Sequence, residues 1–216
     1  MVKHKHTSGF SLLELLITVS ILSVALGLPL MIFRSSERMQ NTVTTRSALQ
    51  ASARLALDRI AGQLESSSLG VIPQSVLGPG LWSSTVDFQR AGDWNGASVD
   101  WAPAERIELI ASAEDPDDGV DNDSDGLIDE RVVVWITDVG LSTERRRVLV
   151  KDVPETLAGE IAANGVDDNG NGLRDEPGLC FEFSGEQIVI RLSLQGRDSS
   201  NARIEHSEVR RVALRN

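Results

Sequence analysis

A long apolar run near the start of the chain constrains its structure more than any other feature. Phe10–Phe33 contains 24 residues, and Glu14 is its only charged side chain. As a helix rising ~1.5 Å per residue, the run would extend ~36 Å. That length is enough to cross a hydrocarbon core of about 30 Å. The run therefore predicts a membrane-spanning helix with one carboxylate in its apolar part.

Two simpler interpretations leave part of this pattern unexplained. A secretory signal peptide has a shorter apolar region followed by a small-residue cleavage site. Here the small residue, Gly9, precedes the run. A plain membrane anchor accounts for the length but not for Glu14, because a carboxylate deep in lipid costs ~3 kcal/mol on insertion scales. We therefore expect a positively charged partner to offset the cost of Glu14.

The residues from Gly9 to Leu16, GFSLLELL, resemble the class III signal of type IV pilins and type II secretion pseudopilins. The resemblance implies that a prepilin peptidase cleaves after Gly9 and that the new amino group of Phe10 is methylated. It also implies that Glu14 remains in the core of a filament. There the carboxylate would pair with the cationic amine of a neighbouring subunit, and only when the subunits assemble in axial register.

Basic residues flank the apolar run on both sides, so their charge alone leaves the orientation open. The resemblance implies a cytoplasmic N terminus, a single pass through the bacterial inner membrane, and a periplasmic C-terminal domain. Within the family, the chain is most similar to the minor pilin W and pseudopilin J groups, whose subunits are thought to prime assembly at a filament tip. The implied partners are other pilins or pseudopilins, prepilin peptidase and the inner membrane.

Helical periodicity continues beyond the apolar run to about residue 66. One stripe recurs at spacings of four, three, four and four residues: Leu49, Ala53, Ala56, Ile60 and Leu64. This pattern predicts an amphipathic helix packed on a sheet. We thus expect a leader over 1–9, a membrane segment over 10–33, an amphipathic continuation over 34–66, and a β-rich domain over 67–216.

Strand patterns occupy the rest of the chain. They cover 106–110, 132–136, 147–150, 186–194 and, less regularly, 203–214. In the fourth segment, Ile188, Ile190, Leu192 and Leu194 are predicted to share one face. One long helix followed by strands predicts an α+β fold with an antiparallel sheet, as in pilins.

The acidic balance of the chain is concentrated in two short segments. The formal net charge is -11, while 114–130 holds nine acidic residues and 165–176 holds four. An acidic surface repels phosphate backbones. Tyr is absent and aromatic residues make up only 4% of the chain, which argues against a base-stacking platform. We therefore exclude nucleic acid as a partner.

The two acidic segments share one pattern. GVDNDSDGLIDE (119–130) and GVDDNGNGLRDE (165–176) align without a gap. The first places carboxylates at alternate positions before a glycine, as positions 1, 3 and 5 of an EF-hand loop do. The second places Asx residues at the same positions. The equivalent residues are Asp121, Asp123 and Asp125 in the first loop, and Asp167, Asn169 and Asn171 in the second.

The pattern leaves open which acid would complete each cation site. Position 12, where an EF-hand has a bidentate glutamate, is Val132 in the first loop and Gly178 in the second. Either member of each closing Asp-Glu pair could take that role: Asp129 or Glu130, and Asp175 or Glu176. The loops resemble the short calcium loops of dockerin-like and thrombospondin-like repeats. We predict structural Ca²⁺ sites, and the alternative is a pair of solvated acidic turns.

The chain contains no motif for catalysis. Phosphate-loop, GxSxG and HExxH patterns are absent from the sequence. We therefore predict a non-enzymatic structural subunit, a minor pilin or minor pseudopilin. The alternative function is a calcium-dependent adhesin or binding module displayed on a pilin-like membrane anchor. An anchored periplasmic enzyme is a third, weaker interpretation.

Overall fold

The computed structural model describes residues 11–67, 81–161, 164–184 and 187–214. Within these ranges the protein has one helix, α1 (Leu12–Leu64), followed by strands. The strands are β1 (Thr85–Phe88), β2 (Ala91–Trp94), β3 (Val99–Trp101), β4 (Glu105–Ala111), β5 (Arg131–Thr137), β6 (Arg145–Val153), β7 (Leu179–Ser184), β8 (Gln187–Arg197) and β9 (Arg203–Ala213).

All strand pairs are antiparallel. One sheet has the order β1-β4-β5-β6, a second has the order β7-β8-β9, and β2 and β3 form a separate two-stranded ribbon. An isolated bridge between Ser83 and Phe181 joins the first two sheets. The predicted α+β fold is confirmed, although its strands form more than one sheet.

The second half of α1 covers the core. The predicted stripe is buried along its length, with exposures of 9% for Leu49, 0% for Ala53 and 0% for Leu64. It packs chiefly on β8 and β9, with β6 at its edge. The predicted face of β8 is buried too, since Ile188, Ile190, Leu192 and Leu194 are at most 1% exposed. Burial of these apolar faces, at about 25 cal/mol per Å², holds the helix on the sheet.

Polar contacts fix the position of α1 on the second sheet. The Arg54 guanidinium lies 3.0 Å from a carboxylate oxygen of Glu208 on β9. Closer to the apolar half of α1, Thr42 Oγ1 donates a hydrogen bond to Asp198 Oδ2 at 2.9 Å. Asp198 lies in the turn between β8 and β9. Exposed pairs of this kind contribute little energy individually. The apolar stripe therefore supplies most of the stability and fixes which face of the helix lies on the sheet.

The core stripe and an exposed leucine of the same helix provide a matched test. Ile60 is fully buried, whereas Leu55, earlier on the same helix, is 53% exposed. Ile60→Ala should lower the free energy of unfolding by about 2–5 kcal/mol, and Leu55→Ala by well under 1 kcal/mol. Denaturant unfolding of the full chain in detergent, followed by tryptophan fluorescence, measures both. Similar losses in the two variants would contradict this assignment of the core.

Candidate functional site

The N-terminal half of α1 presents an apolar surface on all sides. Exposures of its side chains range from 83% for Leu12 to 49% for Ile17, and Val24 is 61% exposed. Within the described residues, α1 is the one helix long and apolar enough to cross a membrane. Since large contiguous apolar surfaces are rarely left in water, this half of the helix requires lipid or neighbouring helices around it.

Glu14 is the only acid in the first turn of α1, and its side chain is exposed among these leucines. Ser11 precedes the helix in an extended conformation. The predicted cleavage residues Gly9 and Phe10, together with the leader 1–9, lie outside the described residues. The described part of the segment therefore positions Glu14 in the first turn of α1, in the half of the helix that packs on no other described element.

The two acidic loops occupy comparable places in the fold. The first connects β4 to β5, and the second connects β6 to β7. Each is anchored in the protein by the leucine after its central glycine, because Leu127 is 5% exposed and Leu173 is 1% exposed. Each loop therefore buries one leucine at the same aligned position.

Backbone conformation matches between the loops at the positions where it is unusual. φ is +93° at both Gly126 and Gly172. It is also positive at the aligned acids Asp129 (56°) and Asp175 (50°). Left-handed backbone is uncommon for residues other than glycine. Its recurrence at corresponding positions shows that the aligned sequences adopt one conformation.

The hydrogen bonds of the first loop carboxylates turn the backbone tightly around them. Asp121 Oδ2 accepts the N–H of Gly126 at 3.0 Å, and Asp125 Oδ1 accepts the N–H of Leu127 at 2.8 Å. In the second loop, Asp167 Oδ2 accepts from Gly172 at 2.8 Å, and Asn171 Oδ1 accepts from Leu173 at 2.9 Å. The side chains at the first and fifth positions therefore accept equivalent backbone hydrogen bonds in both loops.

Asp121, Asp123 and Asp125 converge on one point. Each offers a carboxylate oxygen, and these oxygens lie within 4.8 Å of one another. Asp123 also accepts the N–H of Asp125, at 3.1 Å. The spacing predicted from sequence thus brings the three acids of the first loop together.

The two members of each closing Asp-Glu pair have different surroundings. Asp129 Oδ1 accepts the N–H groups of Asp118 and Gly119, both at 2.9 Å. Asp175 receives the corresponding bonds from Asn164 and Gly165, at 2.8 and 2.7 Å. The aspartates therefore close the backbone of their own loops.

The adjacent glutamates are buried. Glu130 is 4% exposed and Glu176 is 1% exposed. Both carboxylate oxygens of Glu130, and Oε2 of Glu176, have no hydrogen-bond partner among the described residues. Burial raises the pKa of the Glu130 carboxyl to about 8, and the neighbouring Asp115 adds to this effect.

Two acids that precede the aligned segments, Asp115 and Glu160, accept backbone hydrogen bonds from the loops and were not identified from the sequence. Asp115 is 1% exposed and accepts the N–H groups of Asn122 and Glu130, at 2.8 and 3.2 Å. Glu160 accepts those of Asn169 and Asp175, at 3.0 and 3.2 Å. The two acids differ in type and in distance from their motifs. An ungapped alignment of the loops therefore could not pair them.

The N-terminal segment matches a known family model. Residues 4–28 match the prokaryotic N-terminal methylation motif. No curated protein and no solved structure matches the chain. The motif supports a type IV pilin-like prepilin, and with the single apolar helix it fits a membrane-anchored, single-pass protein. Such a motif implies, in general, processing by prepilin peptidase and assembly with other pilins.

The central glycines of the loops allow a test of the loop conformation. With φ at +93° in both, an alanine is strained by about 1–2 kcal/mol at either position. At Gly126 the new Cβ would also lie 2.8 Å from Arg197 Cδ, whereas at Gly172 it would meet nothing within 4 Å. Gly126→Ala should therefore destabilise the full chain more than Gly172→Ala in denaturant unfolding. An equal or smaller loss at Gly126 would show that loop 119–130 does not pack on Arg197.

Proposed function

We propose that the chain is a minor subunit of a pilin-like filament, in a type IV pilus or a type II secretion pseudopilus. Prepilin peptidase removes 1–9 by cleaving after Gly9, and the amino group of Phe10 is methylated. Segment 10–33 anchors the subunit in the inner membrane, 34–66 continues the helix, and 67–216 forms the periplasmic domain. The subunit primes assembly at the filament tip.

The match over residues 4–28 carries this proposal. Two features of α1 support it. The first half is apolar all round and exposed, as Leu12 (83%) and Phe33 (69%) illustrate, while the second half is docked on the sheets through residues such as Ile60. A filament subunit needs both, because its exposed half can sit in lipid before assembly and among other helices after it.

Glu14 gives the assembly step its specificity. A lone carboxylate is costly in lipid, by up to ~3 kcal/mol at the centre of the bilayer. Cleavage after Gly9 creates an amine one helical turn, ~6 Å, from Glu14. The amine of one subunit can pair with Glu14 of another when the two helices are displaced axially. The pair then offsets the cost of both buried charges, so the correct register is favoured over others.

The matched motif belongs to structural filament subunits, which is consistent with a non-catalytic protein. One observation favours a second candidate function, a calcium-dependent binding module displayed on the same anchor. Each acidic loop exposes a valine at the same aligned position, Val120 (55%) and Val166 (53%). These side chains could contact a surface. Calcium-dependent binding by intact filaments would favour this second function, whereas loss of filaments on deletion of the protein favours the first.

The role of Glu14 is tested by neutralising it without changing its size. Glu14→Gln removes the acidic partner of the amine, so incorporation into filaments should fall on the order of tenfold or more while membrane insertion is retained. Glu37→Gln is the matched control, because Glu37 lies on the same helix beyond the apolar run. Quantitative immunoblots of sheared filaments and of membranes measure both steps. Equal incorporation of the two variants would rule out the pairing.

A further inference from the structure

We propose that each acidic loop binds one Ca²⁺ ion, and that the buried glutamates Glu130 and Glu176, not the aspartates before them, complete the two sites. In the first site the side-chain ligands are Asp121, Asp123, Asp125 and Glu130. In the second they are Asp167, Asn169, Asn171 and Glu176. These sites do not depend on the filament function proposed above.

The second loop shows directly where its glutamate points. Glu176 Oε1 accepts hydrogen bonds from the side-chain amides of Asn169, at 2.9 Å, and of Asn171. The carboxylate thus lies against the third and fifth positions of the loop. The other oxygen, Oε2, is buried without a partner. A polar oxygen in this condition costs free energy unless something pairs with it.

The first loop has more buried carboxylate oxygens without a hydrogen-bond partner than the second. Glu130 is 4% exposed with both oxygens unpartnered, and Oδ1 of Asp121 is likewise buried and unpartnered. Because the two loops share their backbone conformation at the aligned positions, Glu130 occupies the place in the first loop that Glu176 occupies in the second, where the carboxylate lies against the third and fifth residues. The first loop therefore holds three buried acceptor oxygens that have no donor among the described residues. A cation bound by this loop would supply the missing partner for these oxygens.

The aspartates of the two Asp-Glu pairs already accept hydrogen bonds from the backbone of their own loops. Asp129 accepts two backbone N–H groups, and Asp175 does the same. Turning either carboxylate towards a cation would leave those N–H groups without their partners and would open the loop. The adjacent glutamates hold no backbone N–H of the described residues in this way, and the Glu176 carboxylate accepts only from the two asparagine side chains.

The donor set selects the type of ion. Every side-chain ligand offers oxygen, which hard cations prefer, and Ca²⁺ accepts six to eight oxygens in flexible geometry. Mg²⁺ demands near-ideal octahedral geometry and usually keeps several of its waters, so it is less suited to a site built from protein ligands. The first site holds four carboxylates, whereas the second holds two carboxylates and two amides. Affinity rises with ligand charge, so the first site should bind Ca²⁺ more tightly.

The competing interpretation is a pair of solvated acidic turns. Asp123 and Asp125 are exposed and need no ion on their own account. Solvation does not reach Glu130 or Glu176, however, and a solvated turn gives no reason to bury a carboxylate beside other acidic or amide groups at the same position of both loops. The burial of these two glutamates is what distinguishes the two interpretations.

Calcium titration of the full chain in detergent, after treatment with a chelator and its removal, tests the sites. Isothermal calorimetry with CaCl₂ should give two bound equivalents for the native protein and one each for Glu130→Gln and Glu176→Gln. Glu144→Gln, which removes one charge from the turn between β5 and β6, should retain two. Calcium should also raise the melting temperature relative to EDTA. Absence of saturable binding, or two equivalents in both glutamine variants, would overturn the proposal.

A variant that is expected to bind Ca²⁺ more tightly separates loss of a ligand from loss of the fold. Asn171→Asp gives the second site the carboxylate that Asp125 gives the first. Its affinity for Ca²⁺ should increase on the order of tenfold, while its loss of the amide bond to Glu176 lowers stability in EDTA. Unchanged or weaker calcium binding by this variant would count against the assigned ligand set.

Discussion

The apolar first half of α1, with one carboxylate in its first turn, is the constraint on which the rest of the structure depends. Side chains such as Leu12 (83% exposed) have no protein cover, whereas Ile60 on the same helix is fully buried. One continuous helix therefore serves two environments, a sheet for its second half and lipid or neighbouring helices for its first. Neither lipid nor apolar helices satisfy Glu14, and this is the basis of the assembly with other subunits that we propose.

Periodicity predicted the elements that bury a regular face. The stripe on α1 and the inward face of β8 were both readable, because each repeats an apolar residue at the period of its element. The short strands β1, β2 and β3 were not predicted, since three or four residues carry too little pattern. β7 was also missed, although LCFEFS alternates large apolar residues with Cys180, Glu182 and Ser184. The division into separate sheets depends on contacts distant in sequence, which local patterns do not contain.

The acidic loops show the same division between local and distant information. Alignment identified Asp121, Asp123 and Asp125 and their counterparts, because spacing along the chain decides which side chains converge. It left the choice within each Asp-Glu pair open, because burial of Glu130 is decided by the surrounding fold. The fold also links the first loop to the helix. Gly126 packs against Arg197, and the next residue, Asp198, accepts a hydrogen bond from Thr42. The first loop and the residues that contact α1 near Thr42 are thus neighbours in the fold.

The N terminus of the protein recovered from cells is the most direct measurement of the central claim, that processing creates the amine that pairs with Glu14. Mass spectrometry of the intact protein and of its N-terminal peptide reads this terminus. We predict a chain that begins at Phe10 with a methylated amino group. A mature protein that still begins at Met1 would contradict the claim, because the carboxylate of Glu14 would then lack the cationic partner on which assembly depends.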